Sequence, residues 1–339
     1  MNYLICEKDN EVALQQAPLP QPAAGELVVR MTACGVCATD TMKIYGDGYA
    51  KPQKLGHEIV GVVHALGDGV TQFAIGQRLG MAHHTPDYAS HYSRRGSETM
   101  DPTFKKTNVT PGGFSEYILV PTLNVQHLVV PVPDGVPDLR AIFMEPMACC
   151  LRGLDRVRLV EGDSALIVGA GAIGMLFVPL LCDRSVTTLV ADVREARIET
   201  AKELGAAGGG ASNRDDISAL CRQHTHGRGV DLVILTVVND ATVALALASL
   251  RDGGTVLLFG GKPHTELKLD YWRAFLREIN FITSYSATPD GLKRAMAILA
   301  QPRSSKLDAL VSHVLPLASG IQGFELVYKG QASKVVITG

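Results

Sequence analysis

The sequence predicts an α/β protein in two parts: a mostly-β region, then a doubly wound parallel sheet with helices on its faces. Three observations carry this. The chain has 339 residues, enough for two domains. To about residue 146, short β-type runs are punctuated by glycine and proline, the spacing of a compact β-rich domain with many turns. Beyond that, apolar strand-like runs alternate with helical patterns, and such alternation implies parallel crossovers. Apolar residues make up 46% and charged residues 19%, so a sizeable core can form.

In the first region the clearest strands are expected at Glu26–Met31, Ile59–Leu66 and Phe114–Val120. In the middle region strands are expected at Ala165–Val168, Thr188–Ala191, Leu232–Val237, Thr255–Phe259 and Phe281–Tyr285. Helices are expected over Arg194–Leu204, closed by Gly205, and over Tyr271–Ile279. After about Ala287, Thr288-Pro289-Asp290 reads as the start of a helix through Leu299, and Lys334–Thr338 as a final strand.

Composition excludes several functions. The net charge is −2 with no long basic run, which argues against nucleic-acid binding. Seven cysteines, an odd number in a long chain, point to reduced thiols and a cytoplasmic location. The N-terminal residues meet charge before an apolar core can form, so no secretion signal is expected. Ala165 to Cys182 is uncharged for 18 residues, the lower edge of a membrane span. Gly169, Gly171, Gly174 and Pro179 break it into strand, turn and helix, so no membrane insertion is expected.

Those glycines also form a G-x-G-x-x-G pattern. Alone it is weak, since a glycine-rich structural turn would look the same. Here it follows the strand Ala165–Val168 directly and opens a helix. Gly169 then makes the turn, Gly171 admits a pyrophosphate to the backbone, and Gly174 lets helix and strand pack closely. Ala172 and Ile173 complete the cofactor loop at the helix N-terminus, where unpaired N–H groups face the phosphates. Asp192 follows the next strand, where a carboxylate accepts from the adenosine ribose and repels a 2′-phosphate. That favours NAD over NADP, although Arg194 and Arg197 stand close by; Arg197 is included in the expected cofactor site.

Three separated pieces carry further chemistry: Cys37 in Gly35–Asp40, His57-Glu58 after Gly56, and Glu145 before Pro146. Each has a plain reading alone, as a buried thiol, a turn histidine or a surface acid. Together they offer thiolate, imidazole and carboxylate, a donor set suited to zinc with an open position.

On these motifs the sequence resembles the zinc-containing medium-chain dehydrogenase/reductase family, most closely its polyol and threonine dehydrogenase-like branches. Cys37 matches the family's G-x-C-x-S/T-D motif, His57-Glu58 its G-H-E, Gly112–Tyr117 its G-G-F-A-E-Y strand, and Glu145-Pro146 its E-P segment. Gly169–Gly174 match its cofactor loop. The resemblance implies a GroES-like catalytic domain from 1–146 and 287–339, and a Rossmann domain over 147–286. It also implies one catalytic zinc on Cys37 and His57, completed by Glu58 or Glu145, and leaves the choice of glutamate open. Asp40 is implied to orient His57 and Thr39 to relay a proton. A homodimer or homotetramer is implied as well.

Two departures from the family pattern stand out. Its structural-zinc lobe carries C-x2-C-x2-C-x7-C, where this chain has Asp87, Ser90, Ser93 and Asp101. Serine hydroxyls are poor zinc ligands, so the lobe is expected to be empty or held by hydrogen bonds; an oxygen-ligated cation is the alternative. A family histidine five residues after the zinc cysteine is replaced by Met42. The expected activity is reversible, NAD-linked oxidation of a secondary alcohol, polyol or related hydroxy compound to a ketone. A zinc-free enoyl or quinone reductase of the same fold, or a non-catalytic NAD-binding protein, are the competing readings.

Overall fold

The computed structural model describes residues 1–339, which form two compact units, 1–148 with 287–339 and 149–286. The division falls between Ala148 and Cys149.

In the first unit, Leu27–Gly35 is the central strand. It pairs antiparallel along its length with Glu58–Leu66. On its other side it serves two partners in turn, Tyr117–Val120 at Leu27–Arg30 and Lys334–Thr338 at Cys34–Gly35. Register shifts at Val28/Val29 and Met31/Ala33 accompany this change of partner, since bulges bend a strand and increase its twist. Arg78–Met81, Val129–Pro131 and Val311–Pro316 complete the sheet. The core holds Leu27, Val29, Met31, Ile59, Val63, Ile118 and Val335. Phe114 and Phe324 meet edge to face there, their ring centroids 5.1 Å apart.

The second unit is a six-stranded parallel sheet. Its order is Gly208–Ala211, Thr187–Asp192, Ser164–Val168, Val230–Leu235, Leu250–Leu258, Asn280–Thr283. The chain winds outward from Ser164–Val168 in both directions, which is the doubly wound topology. No helix is long and apolar enough to cross a membrane.

Several expected boundaries need correction. The expected strand at Phe114 begins only at Tyr117, because Gly112 and Gly113 press against the backbone of Leu55 and Gly56 and the Phe114 carbonyl accepts from Leu4 N–H at 2.9 Å. Leu232–Val237 ends at Leu235, since Thr236 turns its hydroxyl onto the Val168 and Gly169 carbonyls. Thr255–Phe259 begins instead at Leu250 and ends at Leu258, and Phe281–Tyr285 runs over Asn280–Thr283. The helix expected to Ile279 stops at Leu276. Arg194 and Leu204 cap the helix Glu195–Glu203 rather than belonging to it. Gly208–Ala211 had no β signal at all. Its glycines are required by closeness, as a Cβ at Gly209 would lie 2.6 Å from Ile198 Cγ2 and 2.7 Å from the Val190 carbonyl. The helix Pro289–Leu299 opens at Thr288, whose Oγ1 accepts from Gly291 N–H at 3.2 Å.

Candidate metal and dinucleotide sites

The donor cluster grows from the end of the central strand in the first unit. Cys37 follows that strand and caps the helix Ala38–Tyr45. Its backbone N–H donates to Asp40 Oδ2 at 3.1 Å, so the first turn folds the Asp40 carboxylate back beneath the cysteine. The other carboxylate oxygen accepts from Gly56 N–H at 3.0 Å and lies 3.5 Å from His57 Nδ1. Asp40, wholly buried, thus ties the cysteine turn to the histidine turn.

His57 and Glu58 are neighbours, and adjacent strand residues would point to opposite faces. The structure avoids this because only Glu58 belongs to the strand Glu58–Leu66, while Gly56 before His57 takes φ +83° and bends the chain. A Cβ at Gly56 would lie 2.8 Å from Phe114 N, so the bend requires glycine twice over. The ligand atoms of Cys37, His57 and Glu58 all lie within 4.8 Å of one another. Glu145, buried in the first turn of the helix Met144–Asp155, is not one of that trio.

Electrostatics hold the Asp40–His57 pair beneath this cluster in an ionised form. Burial would raise the Asp40 carboxyl, but His57, Lys43 and the Gly56 N–H bring it down to about 2. Burial likewise opposes charge on His57, yet Asp40 and Cys37 push its pKa well above the ordinary value. The 3.5 Å contact to Asp40 is too long for a good hydrogen bond, so His57 Nδ1 is buried without one, as is Glu58 Oε1. Cys34, one strand residue away, is driven well up by burial and stays a neutral thiol. Cys37 Sγ lies 3.6 Å from Thr39 Oγ1.

Three neighbours were not expected in this site. Lys334 is buried at the start of the last strand, ion-paired with Glu58. His83 and His84 stack on each other at 3.7 Å, with His83 4.9 Å from the His57 ring. Burial drives His83 well below the ordinary imidazole value and His84 to about 4, so both rings are neutral at neutral pH. Their only signal in the sequence is adjacency, which does not say where they point.

In the same unit, the lobe residues meet without thiols. Asp101 Oδ2 accepts from Ser90 Oγ and Ser93 Oγ, both at 2.6 Å, and Oδ1 from Thr103 N–H at 2.9 Å. Asp87 accepts from Thr103 Oγ1 at 2.6 Å.

In the second unit, Gly169 leaves its strand at φ +95°, and a Cβ there would strike Thr236 Oγ1 at 2.4 Å. A Cβ at Gly174 would sit 2.0 Å from the Gly169 carbonyl, whereas one at Gly171 would meet nothing within 4 Å. Gly171 caps the helix Ala172–Cys182 with no side chain, leaving N–H groups around Ala172 and Ile173 for a ligand. Asp192 accepts from Ala170 N–H at 2.7 Å and Arg194 N–H at 2.9 Å. Arg197 Nη1 stands 3.5 Å from the same carboxylate.

A β-rich unit with a cysteine–histidine–glutamate cluster, joined in one chain to a doubly wound sheet with a glycine loop, defines a metal-dependent dehydrogenase class. Comparison with known proteins agrees. Residues 23–134 match the alcohol dehydrogenase GroES-like domain and 172–301 the zinc-binding dehydrogenase domain. The chain is 31% identical over 322 residues to D-altritol 5-dehydrogenase of Agrobacterium fabrum, covering 92% of this chain and 91% of that one. It is 27% identical over 346 residues to L-galactonate-5-dehydrogenase of Escherichia coli, covering 100% and 99%. The solved structure of an alcohol dehydrogenase from a Thermus species superposes with a TM-score of 0.85 at 25% identity, covering 100% and 99%. The chain belongs to the medium-chain dehydrogenase/reductase family of zinc-binding dehydrogenases.

Proposed function

We propose that this protein is a zinc-dependent, NAD-linked dehydrogenase that reversibly oxidises a secondary alcohol of a polyol, sugar or related hydroxy compound to the ketone. The observation that carries this reading is the buried trio of Cys37, His57 and Glu58, whose ligand atoms converge within 4.8 Å. His57 Nδ1 and Glu58 Oε1 lack hydrogen bonds there, while Glu58 Oε2 is ion-paired with Lys334. Buried polar atoms without partners are costly unless something else satisfies them, and this donor chemistry fits zinc. Cys37 and His57 would hold the ion, with Glu58 the third donor that proximity favours and Glu145 the alternative. When bound, zinc supplies Lewis-acid polarisation of a substrate oxygen, and the nicotinamide accepts the hydride.

The chain's own residues do the rest. Asp40 orients His57 and strengthens it as a donor. The Thr39 hydroxyl, beside Cys37, receives the proton of the substrate hydroxyl and passes it towards solvent, so that alcohol and NAD⁺ yield ketone, NADH and a proton. In the other unit the Gly169–Gly174 turn takes the pyrophosphate, and Asp192 the adenosine ribose. Asp192 supports NAD over NADP, with Arg197 steadying the carboxylate. The hydrogen-bonded lobe of Ser90, Ser93 and Asp101 supports a single zinc per chain. The named relatives, an altritol and a galactonate dehydrogenase, support a polyhydroxylated substrate. Tyr271, Trp272, Phe275 and Leu276 are exposed near the edge strand Asn280–Thr283, which supports a homodimer or homotetramer. The odd cysteine count supports a cytoplasmic location.

The test is cofactor reduction across a panel of polyols and sugar acids with NAD⁺ and NADP⁺, beside elemental analysis of the purified protein. Zinc together with polyol-dependent NADH formation is expected. A protein that retains no zinc and reduces enones or quinones would refute the reading.

A further inference from the structure

Lys334 is a cation built into the donor cluster. It opens a strand continued by Val335, Val336, Ile337 and Thr338, and only 4% of the residue is exposed. A buried lysine is costly unless it is paired and hydrogen-bonded. Its ammonium is ion-paired with Glu58 Oε2, donates to the Val36 carbonyl at 3.2 Å, and lies 6.0 Å from the centroid of the Phe143 ring. The backbone beneath the pair is shaped for it. A Cβ at Gly35 would sit 1.9 Å from Glu58 Oε2 and 2.9 Å from Lys334 Cε, so the glycine that opens the Gly35-Val36-Cys37 turn also makes room for the pair. The charges of Cys37 and Glu145 reach the same ammonium. One buried cation is thus built against a carboxylate of the donor cluster, where a divalent ion would also bind.

We propose that Lys334 is a positioning residue of the metal site, a fixed counter-cation that holds Glu58 in place while the metal is absent and competes with the metal for the same carboxylate. This rests on the zinc reading above. In the metal-free chain the ammonium stands in for the ion and keeps the buried Glu58 charge paired. Once a divalent ion arrives, the ammonium repels it and keeps a share of Glu58, so the site binds zinc less tightly than its donors alone would.

The experiment measures zinc affinity of the full chain by competition with a chromogenic chelator, together with melting temperatures of metal-free and zinc-loaded protein. Lys334→Met removes the charge. Lys334→Gln removes it while keeping a donor for the Val36 carbonyl, and Lys334→Arg keeps it. Both neutral variants should bind zinc at least about tenfold more tightly, since a buried unit charge a few ångströms from a divalent ion repels it even at an effective dielectric of about 20. Their metal-free form should melt lower, widening the gap between metal-free and loaded protein; a variant that folds only with zinc is the extreme of that result. Lys334→Arg should stay close to wild type, and adding Glu58→Gln to Lys334→Met should abolish the gain. Zinc affinity in both neutral variants within about twofold of wild type, or weaker, overturns the proposal, as does an equal fall in both melting temperatures. A wild-type chain that binds no zinc would instead overturn the zinc reading itself and this proposal with it.

Discussion

Replacing Asp101 with alanine tests how the lobe around residues 87–103 is held. The carboxylate accepts from Ser90 Oγ, Ser93 Oγ and the Thr103 N–H, all at 2.9 Å or less. Each bond to a charged acceptor contributes about 1.5 kcal/mol net at the low end, and although Asp101 is buried, Ser90 and Ser93 are half-buried, so water can replace part of the loss. Asp101→Ala should therefore cost about 2–3 kcal/mol, and Asp101→Asn about 1 kcal/mol, since one oxygen and the shape remain. The helices of the lobe are short, His91–Arg94, Glu98–Met100 and Phe104–Lys106, so the loss should appear as local opening. Hydrogen exchange of the Ser93 and Thr103 amides and limited proteolysis within 87–103 read it directly. The pH dependence follows from the same bonds. Covering the carboxylate would raise its pKa, but the Ser90, Ser93 and Thr103 donors lower it overall. A depressed folded value means the stabilisation is present above the unfolded carboxylate value of about 3.9 and is lost as pH falls through the folded one. The lobe should thus open in acid and not on addition of chelator. Unchanged exchange in Asp101→Ala, or a wild-type lobe that opens when metal is stripped, would refute this account.

Four further outcomes follow from the sites. Cys37→Ser should lose turnover and most zinc retention while NADH binding, read by fluorescence, is kept; full activity in a zinc-depleted variant would exclude the metal mechanism. Gly174→Ala should destabilise the second unit by about 2–3 kcal/mol or more, because its Cβ meets the rigid Gly169 carbonyl at 2.0 Å. Gly171→Ala, with open space around its Cβ, should melt like wild type yet bind NADH poorly, and unimpaired binding would remove Gly171 from the cofactor site. Asp192→Ala should weaken NAD⁺ and narrow the preference over NADP⁺ in steady-state kinetics, and it should cost about 1–2 kcal/mol through the unpaired Ala170 and Arg194 amides. A wild type that already prefers NADP⁺ would overturn the cofactor reading.

What could be read from the sequence was local. The turn after Val168 was legible because a strand, three spaced glycines and a helix each leave a short-range mark: Gly169 takes a positive φ, Gly174 packs on the Gly169 carbonyl and Gly171 faces open space. The strand–helix alternation was legible because burial on both faces of a parallel sheet needs continuous apolar runs. Cys37, His57 and Glu58 were visible as donor types. Their convergence depended on the Gly56 bend, which no periodicity announces.

Tertiary structure decided what local pattern could not encode. The strand Gly208–Ala211 exists because Ile198, Ile217 and Val190 crowd it, so glycine, a poor strand former, is the residue that fits. Glu58, rather than Glu145, joins the trio because of where a strand begins and a helix turns. Lys334 bonds the Val36 carbonyl across 298 positions of chain. In the sequence it is one lysine before three apolar residues, with nothing to mark it as buried. Propensity and spacing act over a few residues, whereas pairing a charge inside a core depends on which distant strands the sheet brings together, and only the folded chain settles that.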